Sequence, residues 1–325
     1  MIISRTPYRV SFFGGGTDYP DWYKENGGAV LAASIDKYCY INCRYLPPFF
    51  EHKYRIVYSQ IELVNDLGEI RHPSVREVLR YLKIDQGVEI HHDGDLPSRS
   101  GLGSSSSFTV GLLNALYALK GIMLSKTRLA ENAIYMEQKI IRENVGSQDQ
   151  VLSAVGGLNR VDFSEEGFQV NPITINKERL EDLQSHLVLF FTGISRTASQ
   201  IAGEQIRQIP YKKFELTEMH KMVDEGIKIL GGNTDLNDFG KLLHENWMLK
   251  RSLTDKVSNL YIDFLYEKAL QAGATGGKIL GAGGGGFILF FIKPEFQDRL
   301  KAALPGLLNI PFRFENTGSQ IIYYA

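Results

Sequence analysis

Apolar and polar positions change period several times along the chain, and each change marks an element. SRTPYRVSFF opens with extended character and GGGTDYP breaks it. GGAVLAASIDKYCYINCRYL and KYRIVYSQIELV carry the strand period of two, whereas PSVREVLRYL places Val75, Val78, Leu79 and Leu82 at helical spacing behind a Pro-Ser start. GVEIHHDGD predicts a short strand with Val88, Ile90 and His92 on one side. Phe108, Leu112, Leu116 and Leu119 predict a helix, and SKTRLAENAIYMEQKIIRENV a second one capped by Ser125. GGLNRVDF and GFQVNPITI read as a hairpin and SHLVLFFTG as a buried strand. Helical patterns then dominate from about Thr197 to Gly273, followed by GGKILGAGGGGFILFFI, a helix near Gln297 and a closing strand SQIIYYA.

Strands and helices mixed in both halves predict an α+β fold rather than a repeated parallel array. A length of 325 residues exceeds what one ordinary core serves, so two lobes are expected, residues 1–180 and 181–325. Apolar content of 43% and charged content of 22% are those of a soluble globular chain. A formal net charge of −1 gives no argument for nucleic acid or an anionic membrane as partner. No apolar run reaches about 18 residues and no basic-then-apolar leader opens the chain, so cytoplasmic residence is the expectation. Cys39 and Cys43 share a parity on one strand, which predicts a buried, reduced pair.

The densest chemistry lies in LPSRSGLGSSSS, where small residues precede an apolar helix. A helix N-terminus presents unpaired N–H groups and positive partial charge. Gly101 and Gly103 let backbone and ligand approach closely, and Ser104 to Ser107 add hydroxyls. Together these suit a polyphosphate, although a serine-capped turn would use the same residues. No lysine follows as a Walker loop requires. GAGGGG, Gly281 to Gly286, satisfies GxGxxG, but a strand follows it and neither a preceding strand nor a suitably spaced acid supports a dinucleotide site. It reads as a glycine turn or as a wall beside the phosphate site. FFGGGTDYPDW sets three glycines before Thr17, Asp18 and Tyr19, which fits either a solvated Asx turn or a polyol-binding carboxylate.

In order and spacing, RTPYRVSFFGGGTDY, LPSRSGLGSSSS and KILGAGGGGF resemble the three motifs of the GHMP small-molecule kinases. The resemblance spans nearly the whole chain, and its second motif is the most specific. It implies a lobe like the second domain of ribosomal protein S5, a ferredoxin-like second lobe, and ATP with Mg²⁺ in the cleft between them. The first motif reads Gly-Gly-Gly-Thr-Asp-Tyr where galactokinases usually carry Gly-Glu-His-Thr-Asp-Tyr. With TGISRTAS and KRSLTDKVSN, that version looks like D-glycero-D-manno-heptose 7-phosphate kinases, and L-fucokinase domains share much of the pattern.

Site roles follow from that resemblance. It implies ATP contacts from Pro97, Ser100, Gly101, Leu102, Gly103, Ser104, Ser105, Ser106 and Ser107, and a metal held by Ser105 and Glu137. Asp149 would take the acceptor proton, with Arg9 paired to it, although Asp149 could equally cap a helix. Gly15, Gly16, Thr17 and Asp18 would meet the sugar, and Gly281, Gly283, Gly284 and Gly285 form the third loop. Arg99, Lys139, Arg142, Arg196 and Lys250 are candidate cations for a substrate phosphate, Arg196 foremost because it follows a buried strand and a turn. His91 and His92, adjacent on a strand, point to opposite faces and read as structural. Trp247 and Leu243 read as helix core before a base-stacking platform. A small-molecule sugar or sugar phosphate is the expected partner, with a homodimer as an open possibility.

Overall fold

The computed structural model describes every residue except 99, 195–197 and 233. In chain order the elements are β1 (Ile2–Phe13), α1 (Pro20–Asn26), β2 (Gly28–Tyr45), β3 (Tyr54–Val57), β4 (Ile61–Val64), α2 (Pro73–Tyr81) and β5 (Val88–Gly94). Then come α3 (Ser104–Leu119), α4 (Lys126–Tyr135), α5 (Gln148–Val155), β6 (Leu158–Ser164), β7 (Gly167–Pro172), α6 (Lys177–His186) and β8 (Leu187–Phe191). The remainder is α7 (Ala198–Gln208), α8 (Lys213–Gly231), α9 (Asn237–Arg251), α10 (Leu260–Gln271), β9 (Gly276–Ile279), β10 (Phe287–Phe291), α11 (Gln297–Ala303), β11 (Leu308–Ile310) and β12 (Gln320–Tyr324).

Two sheets organise these elements. The larger runs β12-β1-β2-β5-β3-β4, with the β6–β7 hairpin on the far half of the long, bent β2. The smaller is antiparallel in the order β11-β8-β10-β9. Sheet membership changes between β7 and β8, across residues 173–186. The expectation of two contiguous lobes needs one correction, because β12 pairs with β1 and so returns the tail to the first sheet. Its short run, Gln320 to Tyr324, gives no hint of which sheet it joins, since either edge would accept a short strand.

Local chemistry explains the central helix. Gly101 and Gly103 adopt φ of 85° and 77°, so the chain curls before α3 begins. From Ser106 to Leu116 nearly every side chain of α3 is buried, which exceeds the single stripe predicted from Phe108, Leu112, Leu116 and Leu119. Gly111 permits this seat. A Cβ there would stand 2.9 Å from Thr6 Oγ1, and its carbonyl accepts from Ser4 Oγ at 2.8 Å. The predicted second helix begins at its Ser125 cap, which accepts from Arg128 N. It passes after Tyr135 into a π-helical segment, Met136–Ile141. Cys39 and Cys43 are both buried and free, as their shared parity predicts.

The two lobes share one apolar core, which takes Phe12 and Phe13 from β1 together with Phe239, Leu280, Phe287 and Phe291. Backbone contacts seal the junction, with Phe287 N donating to Ser100 O at 3.0 Å. The GAGGGG stretch does have a strand before it, against expectation, and links antiparallel β9 to β10. A hairpin turn cannot open a helix, so the dinucleotide reading falls on geometry. At Gly286, φ is 88° and an added Cβ would lie 2.2 Å from the Ser100 carbonyl oxygen. Gly286→Ala should cost about 3 kcal/mol or more in urea unfolding, from left-handed strain plus backbone overlap. Gly121→Ala, also at positive φ but facing open space, should cost only about 1 kcal/mol. Equal losses at both would count against an essential backbone seal between the lobes.

Candidate active site

Between the lobes lies a cavity of about 1010 Å³. Its floor is the start of α3, with Gly101, Gly103, Ser104, Ser105 and Ser106 on the wall. Four other residues of that motif stay outside the lining. Ser107 donates to Pro7 O at 3.0 Å and meets Ser153 Oγ at 2.9 Å, while Leu102 and Ser100 are buried and Pro97 lies away. They shape the loop rather than face the cavity. Successive serines on a helix turn by about 100°, so only some of the hydroxyls can point inward.

Arg9 and Asp149 form the best-defined polar contact in the cleft. Arg9 Nε and Nη2 donate to Asp149 Oδ1 and Oδ2 at 2.7 and 2.8 Å, and Nη1 donates to Gly101 O at 2.8 Å. The arginine is buried, whereas the aspartate side chain keeps 25% of its surface open to the cavity. Asp149 therefore reaches a ligand while its cation cannot turn away. Ser147, not Asp149, stands at the N-cap of α5.

Glu137 leaves the π segment inward and is fully buried. Its Oε2 accepts from Ser106 Oγ at 2.8 Å and from Gln150 Nε2. Its Oε1 has no hydrogen-bond partner. Burial pushes its carboxyl up to about 7, with the Glu143 charge adding to the rise. The hydroxyl on Glu137 belongs to Ser106, whereas the sequence paired Glu137 with Ser105. Ser105 is exposed on the cavity rim, and its carbonyl accepts from Thr109. Ile140, three residues on in the same segment, points outward.

A third carboxylate, Asp18, lines the cavity. Asp18 Oδ1 accepts from Gly16 N at 2.9 Å and Oδ2 from Gln148 N at 3.3 Å. Burial raises its pKa and the Asp149 charge adds, while those two N–H groups oppose the rise. Gly15, Gly16 and Asp18 line the cavity. Thr17 does not, since its hydroxyl donates to Gly14 O and Ala29 O. Ser11 Oγ and Gln148 Oε1 are buried without partners, and a Cβ on Gly15 would stand 3.7 Å from Ser11 Oγ and from Gln148 Nε2.

The second lobe contributes two lysines. Lys250 Nζ donates to Gly281 O, and Lys278 Nζ to Phe12 O at 2.7 Å and Asn246 Oδ1 at 3.3 Å. Burial lowers Lys250 to about 8, with the Arg9 charge contributing; burial and then Lys250 lower Lys278 further. Of the third loop Gly281 and Ala282 line the cavity. Gly283 and Gly284 rest on Val257, and Gly285 on Ile194. Among the other candidate cations, Lys139 and Arg142 are both exposed and outside the cavity lining, and Arg99 and Arg196 lie outside the described residues.

Aromatic rings close the far end, with Phe108 stacked on His72 at 4.6 Å and Tyr58 edge-on to His72 at 4.9 Å. His92 meets Phe108 edge-on, while His91 turns to Glu89 at 2.8 Å, as their opposite faces require. Trp247 is fully buried and away from the cavity, as core. Sequence reasoning missed Lys278 and the Tyr58–His72 wall. A lysine inside the apolar run GGKILG was the available signal for the first. His72 offered none, because only the turn of the chain brings it to Phe108.

Comparisons with known proteins agree with the two-lobe fold. The family model described as GHMP kinases N terminal domain matches residues 72–157, and GHMP kinases C terminal matches 228–308. A D-glycero-alpha-D-manno-heptose 7-phosphate kinase of Campylobacter jejuni is 30% identical, covering 93% of either chain. A bifunctional fucokinase/GDP-fucose pyrophosphorylase of Arabidopsis thaliana is 27% identical over 91% of this chain but only 30% of its own length. The crystal structure of a D-glycero-D-manno-heptose 1-phosphate kinase from Bacteroides thetaiotaomicron superposes with a TM-score of 0.79, covers all of both chains and is 23% identical.

The aromatic wall carries a pH signature. Burial lowers His72 to about 4 from its ordinary 6.5, so the folded protein holds it neutral. Between those values the unfolded chain binds the extra proton, and stability falls as pH drops from about 6.5 through 4. His72→Gln should lessen that loss, by no more than about 3 kcal/mol, in urea titrations at pH 7 and 4.5. An identical pH dependence in both proteins would show that His72 does not contribute.

Proposed function

The chain belongs to the GHMP kinases, and from that premise we propose that it phosphorylates the anomeric hydroxyl of a sugar phosphate, D-glycero-D-manno-heptose 7-phosphate, to the 1,7-bisphosphate. The observation that carries the kinase chemistry is the bidentate Arg9–Asp149 pair at the mouth of the α3 loop. Phosphoryl transfer asks a protein for positioning, charge neutralisation and a nucleophile aimed in line, and the cleft holds groups for each. The heptose assignment is supported by the Campylobacter relative and by the Gly14–Gly16 form of the first motif.

In this reading the triphosphate lies over the N–H groups of the α3 turn, and the base against the ring pair Phe108 and His72. Asp149 receives the proton of the acceptor hydroxyl. Arg9 fixes both its oxygens, leaving the open edge toward the acceptor. Asp18, Ser11 and Gln148 offer hydrogen-bonding atoms to sugar hydroxyls, two of them otherwise unpartnered. Arg196 remains the candidate for the distal phosphate and lies outside the described residues.

Glu137 is the residue that would hold a magnesium ion, its Oε1 being without a hydrogen-bond partner, although it stands behind Ser106 and outside the lining of the cavity. Glu137 would hold it with Ser105 or Ser106, and when bound it neutralises phosphate charge.

Asp149→Asn should lower kcat by roughly 10²–10⁴-fold while the nucleotide KM stays within a few fold. Wild-type turnover in a folded variant would rule out an essential proton acceptor there. Incubation with ATP, Mg²⁺ and a panel of sugars and sugar phosphates should give an anomeric phosphate signal in phosphorus NMR, strongest with the heptose 7-phosphate. A phosphate on another carbon, or equal use of unphosphorylated sugars, would overturn the substrate assignment.

A further inference from the structure

Lys250 is a buried cation that the reading above does not use. It sits near the end of α9, is 5% exposed and lines the cavity. An ammonium taken out of water normally finds a carboxylate. Among the described residues Lys250 has none within ion-pair distance, and its hydrogen bond goes to the carbonyl of Gly281. A lysine offers three donors, so two N–H groups remain for something else.

Its surroundings say where that something passes. A Cβ on Gly281 would touch the Gly101 backbone at 2.7 Å, so the Lys250 anchor lies directly on the α3 loop. Gly101 in turn takes Arg9 Nη1, and Arg9 holds Asp149. The charged groups influencing Lys250 are Arg9 from β1, Asp18 from the turn after β1 and Asp149 from α5, and Lys250 in turn acts on Lys278 of β9. Arg9 and Asp149 neutralise each other. Lys250 is then left with Asp18 as the one remaining carboxylate of this corner, and Asp18 is already held by the N–H groups of Gly16 and Gln148.

We infer that Lys250 is a second phosphoryl-handling cation, held on the carbonyl of Gly281 so that its free N–H groups meet the group in transit from nucleotide to acceptor. This rests on the kinase reading but not on which sugar is the substrate. In the step itself the acceptor oxygen forms a bond to the γ-phosphorus. The bond from that phosphorus to the β,γ-bridging oxygen breaks, its electron pair leaves with ADP, and the hydroxyl proton passes to Asp149. Lys250 keeps its own protons and opposes the charge on the equatorial oxygens. Lys278, fixed on Phe12 O and Asn246, is a positioning residue behind it.

The test measures binding of Mg·ADP alone and of Mg·ADP with aluminium fluoride, a planar mimic of the phosphoryl group, with no sugar present. Wild-type protein should bind the fluoride complex more tightly than Mg·ADP. Lys250→Met should lose on the order of 10²-fold of that fluoride-dependent gain and leave Mg·ADP affinity within about twofold, since the effect belongs to the transition state. Lys250→Arg should keep part of the gain, and Lys250→Gln replaces the methionine variant if that one does not fold. A methionine variant with the full gain overturns the inference, and so does one that weakens Mg·ADP equally. A variant that only raises the KM of a sugar phosphate also overturns it, by placing the lysine on the acceptor's own phosphate. A failed heptose assay leaves the fluoride result untouched, so the two readings fail separately.

Discussion

The cleft depends on two glycine loops that touch backbone to backbone. Ser100–Gly103 from the first lobe and Leu280–Gly286 from the second meet where no side chain would fit, with Phe287 N on Ser100 O and Gly281 against Gly101. A single Cβ at Gly281 or Gly286 would fall within 3 Å of facing backbone atoms. This contact fixes the opening of the helix whose N–H groups face the cavity, and it sets the second lobe's lysines beside the first lobe's arginine. Polar groups at such a junction are costly unless paired, and here the carbonyls of Gly101, Gly281 and Phe12 each receive a buried cation.

The charges are arranged by access as much as by sign. Asp149 and Asp18 influence each other, yet their environments differ. Asp149 is held by a guanidinium and stays a quarter exposed, which suits a group that must meet a reacting hydroxyl. Asp18 is enclosed, accepts backbone N–H groups at both oxygens, and has Gly146 so close that a Cβ would collide with it. The two carboxylates thus differ in access to the cavity and in the partners that hold them.

Much of this was legible in the sequence because it is written in local chemistry. The glycine and serine clusters, the Ser125 cap, the β6–β7 hairpin and the helix stripe at Phe108, Leu112 and Leu116 rest on neighbours a few residues apart. Arg9 opposite Asp149 came from the resemblance, and the structure supplies its bidentate geometry. The features that escaped notice depend on long-range placement. Nothing local tells β12 to cross back to β1, nor says that the hydroxyl facing Glu137 is Ser106 and not Ser105, a matter of one helical step. The strand before the third glycine cluster is hard to see because GGKI carries only one large apolar residue; its burial comes from α9 packing over it through Gly276 and Gly240.

The π segment shows how backbone irregularity serves the same end. An extra residue in a helical turn rotates the later side chains by about 100° relative to a regular helix, and such insertions gather at functional sites. Met136 and Glu137 point into the core and Lys139 and Ile140 into solvent, after which Arg142 takes a left-handed φ of 63° and the chain leaves. Glu143 N closes the segment on the carbonyl of Glu137 itself, at 2.9 Å. The carboxylate is therefore fixed through its own backbone as well as through Ser106 and Gln150, and it can be held in an apolar surround where a free side chain would turn to water.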